Sequence, residues 1–338
     1  MLIDPMIYSH LKYATIDSNN SDYPHHQGPD GDLVAKIKNF QQRIDLSTRA
    51  MKNLQLVLEF LREYHPRSLS LYNLLNNIQS NLINEENFSS IELFVNDPVR
   101  IKCVLLIYSQ ITSASTDKKP TKTIIRFYCD EKDNEILLSM LKQYIPEPTT
   151  EKILIKACDQ RFSLIVQDHF RNLGLSVSYI HSCYQMSYSK ETIENQRITM
   201  KHSYPSDIAI RPLSIADADI VNDNWAYKDE FSLCRIKYQI EHLPTLGAYC
   251  DGQLMSWCLT QYDGCIGMAF TKPSARRFGL QSLLVTYLAF ELLKYQEHIV
   301  DFVACDNDIS LNMMNKMGWK NVCQMDWIGF VGKSNKIQ

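Results

Sequence analysis

The chain has 338 residues, 45% of them hydrophobic and 22% charged, with a formal net charge of −3. This length and balance describe two folded domains of ordinary size with proper apolar cores. They exclude two partner classes: no excess of Lys and Arg is present to displace phosphate counterions from nucleic acid, and no apolar run reaches the roughly 18 residues that span a membrane.

In chain order, Asp4 and Asp17 precede any Arg, which fits neither a secretory signal nor a mitochondrial presequence. An intracellular location is expected, with the cytoplasm and the mitochondrial matrix both open. Residues 1–33 include the polar stretch IDSNNSDYPHHQGPDGDL and are expected to be a disordered tail. His25 and His26 within it offer too few ligands for a metal. From Val34 to His65 the spacing of Ile37, Phe40 and Ile44, then of Leu54, Val57, Leu58 and Leu61, predicts helix, stopped by Pro66. Strands are predicted at Ile91–Val95, Cys103–Tyr108, Ile124–Cys129, Ile153–Cys158 and Leu175–Met186. Helices are predicted at Asn134–Tyr144 and Gln160–Asn172, the latter ended by Gly174. The alternation predicts an α/β domain over 34–200. Lys118, Lys119, Lys122 and Arg126 read as a solvated loop, and the polar stretch Ser187–Ser206 as a linker.

The second domain, 206–332, opens with a strand at Ile208, a turn at Arg211-Pro212 and a helix capped near Ser214. A helix at Ser232–His242 follows. Strands at Gly247–Cys250 and Leu254–Leu259 are joined by Asp251-Gly252, a strong hairpin signal. Then come a strand at Cys265–Thr271, a long helix at Leu280–Gln296, a strand at Ile299–Cys305 and a short helix at Ser310–Lys316 ended by Gly318. The ten cysteines include no CxxC pair, and the spacing of Cys250, Cys258 and Cys265 fits no zinc ribbon. They read as free thiols in a reducing compartment, with no metal expected. Trp257 and Trp319 read as core.

The chemically informative stretch is TKPSARRFGLQS, Thr271–Ser282, which joins a strand to a helix. Arg276, Gly279 and the helix N-terminus behind them make an anion site, because outward N–H groups and the helix dipole favour negative charge. Gly279 lets a pyrophosphate approach the backbone. Downstream, Asn307, Ser310, Lys316, Gly318 and Trp319 match the N-x-x-[AS]-x-x-x-x-x-K-x-G-[FW] pattern that closes GNAT-type acyltransferase domains, and Ile210-Arg211-Pro212 lies in its expected place.

With these marks the chain resembles the glycine N-acyltransferase family. Asn224-Trp225-Ala226-Tyr227, Gln253–Trp257, Gly264–Met268, Pro66–Asn73 and Ile91–Val95 resemble further segments of it. The resemblance covers about 50–330, thin before the last 130 residues. It implies an α/β (α+β) GNAT fold in the C-terminal domain and transfer of an acyl group from acyl-CoA, the co-substrate, to the amine of glycine or another amino acid. Pantetheine would lie along Ala269, Phe270 and Thr271, with an N–H near Ala269 or Phe270 polarising the thioester carbonyl. Pyrophosphate would sit on Arg277, Phe278, Gly279, Leu280, Gln281 and Ser282, beside Arg276, with Asn307 and Met314 completing the cofactor site. Met314 stands where many such enzymes have a tyrosine acid, and Ser310, one turn earlier, is the substitute. Cys265 stands where the family has a glutamate base; Asp263 or Asp301, the latter through water, are the alternatives. These departures keep two other readings open: a non-catalytic acyl-CoA-binding protein, and a protein or peptide N-acetyltransferase.

One internal echo stands apart from the family pattern. Cys158-Asp159-x-x-x-Ser163-Leu164 recurs as Cys305-Asp306-x-x-x-Ser310-Leu311, each after a strand and before a helix. It predicts that the first domain is a degenerate copy of the second. Without an R-x-x-G turn, that copy is not expected to bind CoA.

Overall fold

The computed structural model describes residues 42–44, 51–80, 83, 88–110, 122–130, 133–145, 147, 152–191 and 208–332. The 1–33 tail, the start of the 34–65 helix, Lys118, Lys119 and most of the linker lie outside them. The first half contains β1 (Gln42–Ile44), α1 (Met51–Glu63), α2 (Leu69–Gln79), β2 (Phe88–Val95), β3 (Cys103–Gln110), β4 (Thr123–Cys129), α3 (Asn134–Tyr144), β5 (Lys152–Asp159), α4 (Ser163–Asn172) and β6 (Leu175–Ser189). The second contains β7 (Ile208–Arg211), α5 (Ala218–Asp223), α6 (Ser232–His242), β8 (Thr245–Cys250), β9 (Gln253–Thr260), β10 (Ile266–Thr271), α7 (Leu280–Leu292), β11 (His298–Ala304), α8 (Asp308–Lys316) and β12 (Lys320–Gly332). The two series have the same order of strands and helices.

Among the described residues, the strands join one twelve-stranded sheet in the order β1-β2-β3-β4-β5-β12-β6-β11-β10-β9-β8-β7. Each half lays five strands inward from its own edge and then sends its last strand across the centre. β6 pairs with β11 of the second half, and β12 pairs with β5 of the first. The exchanged strands pair with each other along their length, from Lys320↔Ser187 to Gly332↔Leu175. Within each half the fourth and fifth strands are parallel, β4 with β5 and β10 with β11. The internal echo is therefore a repeat of topology. Asp159 accepts from the N–H of Arg161 before α4, and Asn307 accepts from the N–H of Ser310 at the start of α8.

Helices cover both faces. α1 and α2 pack on Leu93, Leu106 and Ile124, while α3 and α4 pack on Ile125, Ile155 and Ile328. α7 and α8 pack on Met186, Ile299 and Val303, and α5 and α6 pack around Trp257. α7 is buried nearly all round, which is why its sequence shows no polar face. It ends at Leu292 rather than Gln296. Trp257 and Trp319 are core, as expected. Gly174 and Gly318 take left-handed φ of 83° and 79° and turn the chain from helix into each exchanged strand. Among the described residues no helix is long and apolar enough to cross a membrane.

Several readings are corrected. Ile44 sits in a strand paired with β2, not in a helix. Arg126 is no loop residue: it lies in β4, buried on both faces, and is 2% exposed. α2 and β12 go beyond the elements read from sequence, although Leu71, Leu74, Leu75 and Ile78 carry a helical spacing.

Candidate active site

β10 and β11 start as neighbours and then part. Their parallel register is the single pair Ile266↔Asp301. Beyond it β10 is held from its other side by β9, through Phe270↔Trp257 and Thr271↔Ser256, after a bulge between Gly267 and Phe270. Met268 lies in that bulge at φ 50°, a conformation rare for a residue with a side chain. The bulge turns the strand away from β11 and leaves Ala269 exposed at the opening. The result is a wedge between two strands, open at their C-terminal ends.

The predicted anion site stands at the mouth of this wedge. After β10 the chain makes a short turn at Pro273–Ala275, then Arg277 at φ 69° and Gly279 at φ 74° start α7. Two left-handed residues with Phe278 between them turn N–H groups outward, ahead of the unpaired N–H groups of the first helical turn. Arg276, Arg277, Phe278 and Gly279 are exposed. Arg276 Nε donates to the Thr271 carbonyl at 3.2 Å, so its stem also braces the turn. The Gln281 side chain points inward: its Oε1 accepts from Thr271 at 3.1 Å and Ser256 at 3.3 Å, and its Nε2 donates to Trp257 O. Only the backbone N–H of Gln281 is left to meet an anion. Leu280 is buried beneath the turn.

Across the wedge, Asn307 caps α8 and Ser310 is half-buried behind it. Met314 is 1% exposed, packed with Ile299 and Leu284, and supplies apolar contact only. Ala269–Ser282 and Asn307–Ser310 are thus gathered at one end of the sheet.

Cys265 and Asp263 are not gathered there. They precede β10 at its closed end, roughly 15–20 Å of strand away from Thr271. Cys265 is buried against Leu69 and Val300. Burial, with the charge of Asp263 added, pushes its thiol well above the usual value, so it is neutral and no base. Asp263 is bound by Arg126 at 2.9 Å and Lys156 at 3.3 Å. Burial alone would push its carboxyl up, but Lys156 and Arg126 together hold it well below the ordinary carboxylate range. An anion so stabilised is a weak proton acceptor. Gly264 beside it turns at φ 67°, and a Cβ there would meet the Gln296 amide at 2.3 Å.

Asp301, at the apex of the wedge, is different. Burial pushes its carboxyl up to about 7, partly offset by the N–H of Phe302. Such a group is stabilising while protonated in the fold, and that contribution is lost as pH rises from its unfolded value near 4 through 7. Asp301→Asn is therefore expected to be the more stable protein at pH 8, by at most about 4 kcal/mol, with the gap closing at pH 4. Urea midpoints at the two pH values check it; an unchanged pH slope in the variant would refute the burial argument.

Sequence reasoning missed a polar pair. Tyr227 Oη and His181 Nε2 are 2.7 Å apart, with ring centroids at 4.8 Å. His181 lies in β6 beside Ser182, whose carbonyl accepts from the N–H of Cys305 at 3.0 Å, at the open end of β11. Burial, then Cys183 and Asp306, push the Tyr227 hydroxyl up, so it stays protonated, and the tautomer of His181 sets whether it donates to Nε2 or accepts from it. Tyr227 falls in the resembling segment Asn224–Tyr227; His181 carries no signal in sequence because its partner comes from the other half.

The first half has the same wedge, closed. β4 and β5 pair only from Thr123↔Ile153 to Ile125↔Ile155, and Ala157 sits beyond at φ 56°. The opening is filled from α2 and the turn before it: Arg67 binds Asp159 at 2.8 Å, and Ser70 hydrogen-bonds Arg126. A small pocket remains among Arg67, Arg126, Tyr128, Ala157 and Asp159. Where the second half has its arginines and Gly279, this half has Asp130-Glu131-Lys132-Asp133.

Comparison with known proteins agrees with this fold. Residues 245–328 match the family model described as FR47-like protein. An X-ray structure of a Drosophila protein superposes with a TM-score of 0.72 at 20% identity, covering 87% of this chain and 99% of that one. A tandem GNAT protein from the clavulanic acid biosynthesis pathway, solved without AcCoA, gives 0.53 at 10% identity, covering 88% and 100%. The chain therefore has a GNAT-type fold built as two like halves. Its C-terminal part is similar to glycine N-acyltransferase-like protein 2 of Homo sapiens, with 29% identity over 121 residues, or 34% of this chain and 40% of the human protein. That match spans less than half of the relative's length.

Proposed function

We propose that this chain transfers an acyl group from coenzyme A to the amine of glycine or another amino acid. The observation that carries the reading is the wedge between β10 and β11 with a ring of free N–H groups at its mouth. Pantetheine fits as the missing strand along Ala269–Thr271, and pyrophosphate fits the N–H groups of Arg277–Ser282. The amine attacks the thioester carbonyl, whose oxygen gains charge and is met by an N–H at the bulge. Collapse of that intermediate breaks the C–S bond; the thiolate leaves and is protonated, with Ser310 the nearest hydroxyl on α8. His181, oriented by Tyr227, takes the proton of the attacking amine. The units 34–200 and 206–332 act as two domains, the first closed to CoA by Arg67 and by the acidic sequence Asp130-Glu131-Lys132-Asp133.

A screen of acyl-CoA donors against free amino acids, read by thiol release, tests the activity. Release with an amino acid supports it. Binding of CoA without release from any amine means a non-catalytic binder, and release only with peptide amines means a peptide acetyltransferase. His181→Asn is expected to lower kcat at pH 7 with CoA affinity unchanged, and to recover toward pH 9 as the free amine deprotonates itself. A neutral-pH rate equal to that of the unaltered protein would remove His181 from the mechanism.

A further inference from the structure

At the N-terminal head of β11, away from the open end of the wedge, the turn between α1 and α2 comes up to the strand. His65, Glu297 and His298 there each present a ligand atom within 4.8 Å of the other two. The two imidazole rings are 5.9 Å apart at 84°. His65 Nε2 is buried and has no hydrogen-bond partner, an uncompensated cost for a polar atom in a packed interior. We propose that these residues form a divalent metal site, with zinc(II) as its ion, that fastens the α1–α2 turn of the first half to β11 of the second.

The donor set selects the ion. Two imidazoles and one carboxylate are the ligands of three-residue zinc sites that leave the fourth position to water. Calcium and magnesium call for all-oxygen shells and are disfavoured. Tetrahedral bonds of about 2.0–2.1 Å place neighbouring ligand atoms roughly 3.4 Å apart. The side chains must therefore close by at most about 1.4 Å, which χ rotations supply because Glu297 is exposed and His298 half-exposed. Arg62 shares this corner and opposes a cation, but it is held by the Tyr72 hydroxyl at 2.6 Å and countered by Glu297 and Glu59. The three ligands come from both halves of the chain, so no spacing rule could disclose the site, and no metal was expected from motif spacing.

The test uses the full chain after chelator treatment, titrated with zinc chloride by calorimetry and with cobalt(II) by absorbance. One ion per chain is expected, with a raised melting temperature. Cobalt should show the visible bands of a tetrahedral nitrogen–oxygen site without the near-ultraviolet band of a thiolate ligand. Glu297→Gln, an exposed substitution that leaves packing untouched, and His298→Ala should each weaken zinc binding by more than about 100-fold. Absence of binding in the chelated protein would overturn the proposal. So would a thiolate band, which places the ion on cysteines, or affinity unchanged in both variants, which places it on other residues.

Discussion

Gly279→Val is expected to abolish coenzyme A binding, with affinity falling by more than about 100-fold, while the protein stays folded. Gly279 begins α7 at φ 74°, a region that a β-branched residue enters only at a cost of about 1–2 kcal/mol. The larger effect is on the ligand. In the proposed cofactor site the N–H groups behind Arg277 and Gly279 receive the anion, and a pyrophosphate would have to approach them without an intervening side chain. Two methyl groups at this point push the phosphate out by more than a hydrogen-bond length. Calorimetry with CoA, alongside circular dichroism to establish folding, reads the result. Unchanged affinity in a folded Gly279→Val protein would remove the turn from the cofactor site.

Asp263→Ala should lose about 3–5 kcal/mol of stability, the usual cost of leaving a buried partner charge alone. Asp263 and Arg126 are each 2% exposed in their side chains and 2.9 Å apart. They join the β9–β10 turn of one half to β4 of the other. Lys156, a quarter exposed, can turn to water when Asp263 is removed; Arg126 cannot. The double variant Arg126→Leu/Asp263→Leu should recover much of the loss, because a buried pair is worth little more than the apolar contact that replaces it. Since Asp263 titrates below its unfolded value, its contribution is full above pH 4 to 5 and is lost as the solution is acidified. Urea denaturation gives the numbers. A loss below 1 kcal/mol for Asp263→Ala would show that the pair is not the tie between the halves.

Local pattern in the sequence was enough for much of this protein. Asn134–Tyr144 and Ser232–His242 are helices at the predicted boundaries, because each has helical apolar spacing and a clear end. Asp251-Gly252 makes the hairpin with φ 48° and 75°. The Thr271–Ser282 turn and the Asn307 cap are legible for the same reason: turn glycines, caps and helix starts are written in neighbouring residues. The echo at Cys158 and Cys305 disclosed the repeat through one strand end in each half.

Whatever depends on two distant segments was decided only by tertiary structure. β12 does not announce itself, because it is buried by strands from both halves and shows no clean alternation. The burial of Cys265 under Leu69, and the capture of Asp263 by Arg126, took both residues out of the role their position suggested. The meeting of His181 with Tyr227 is of the same kind. Periodicity and motif spacing report on neighbours along the chain. The environment that sets a proton affinity or completes a site is supplied by strands exchanged across the centre of the sheet, and only the folded chain brings those strands together.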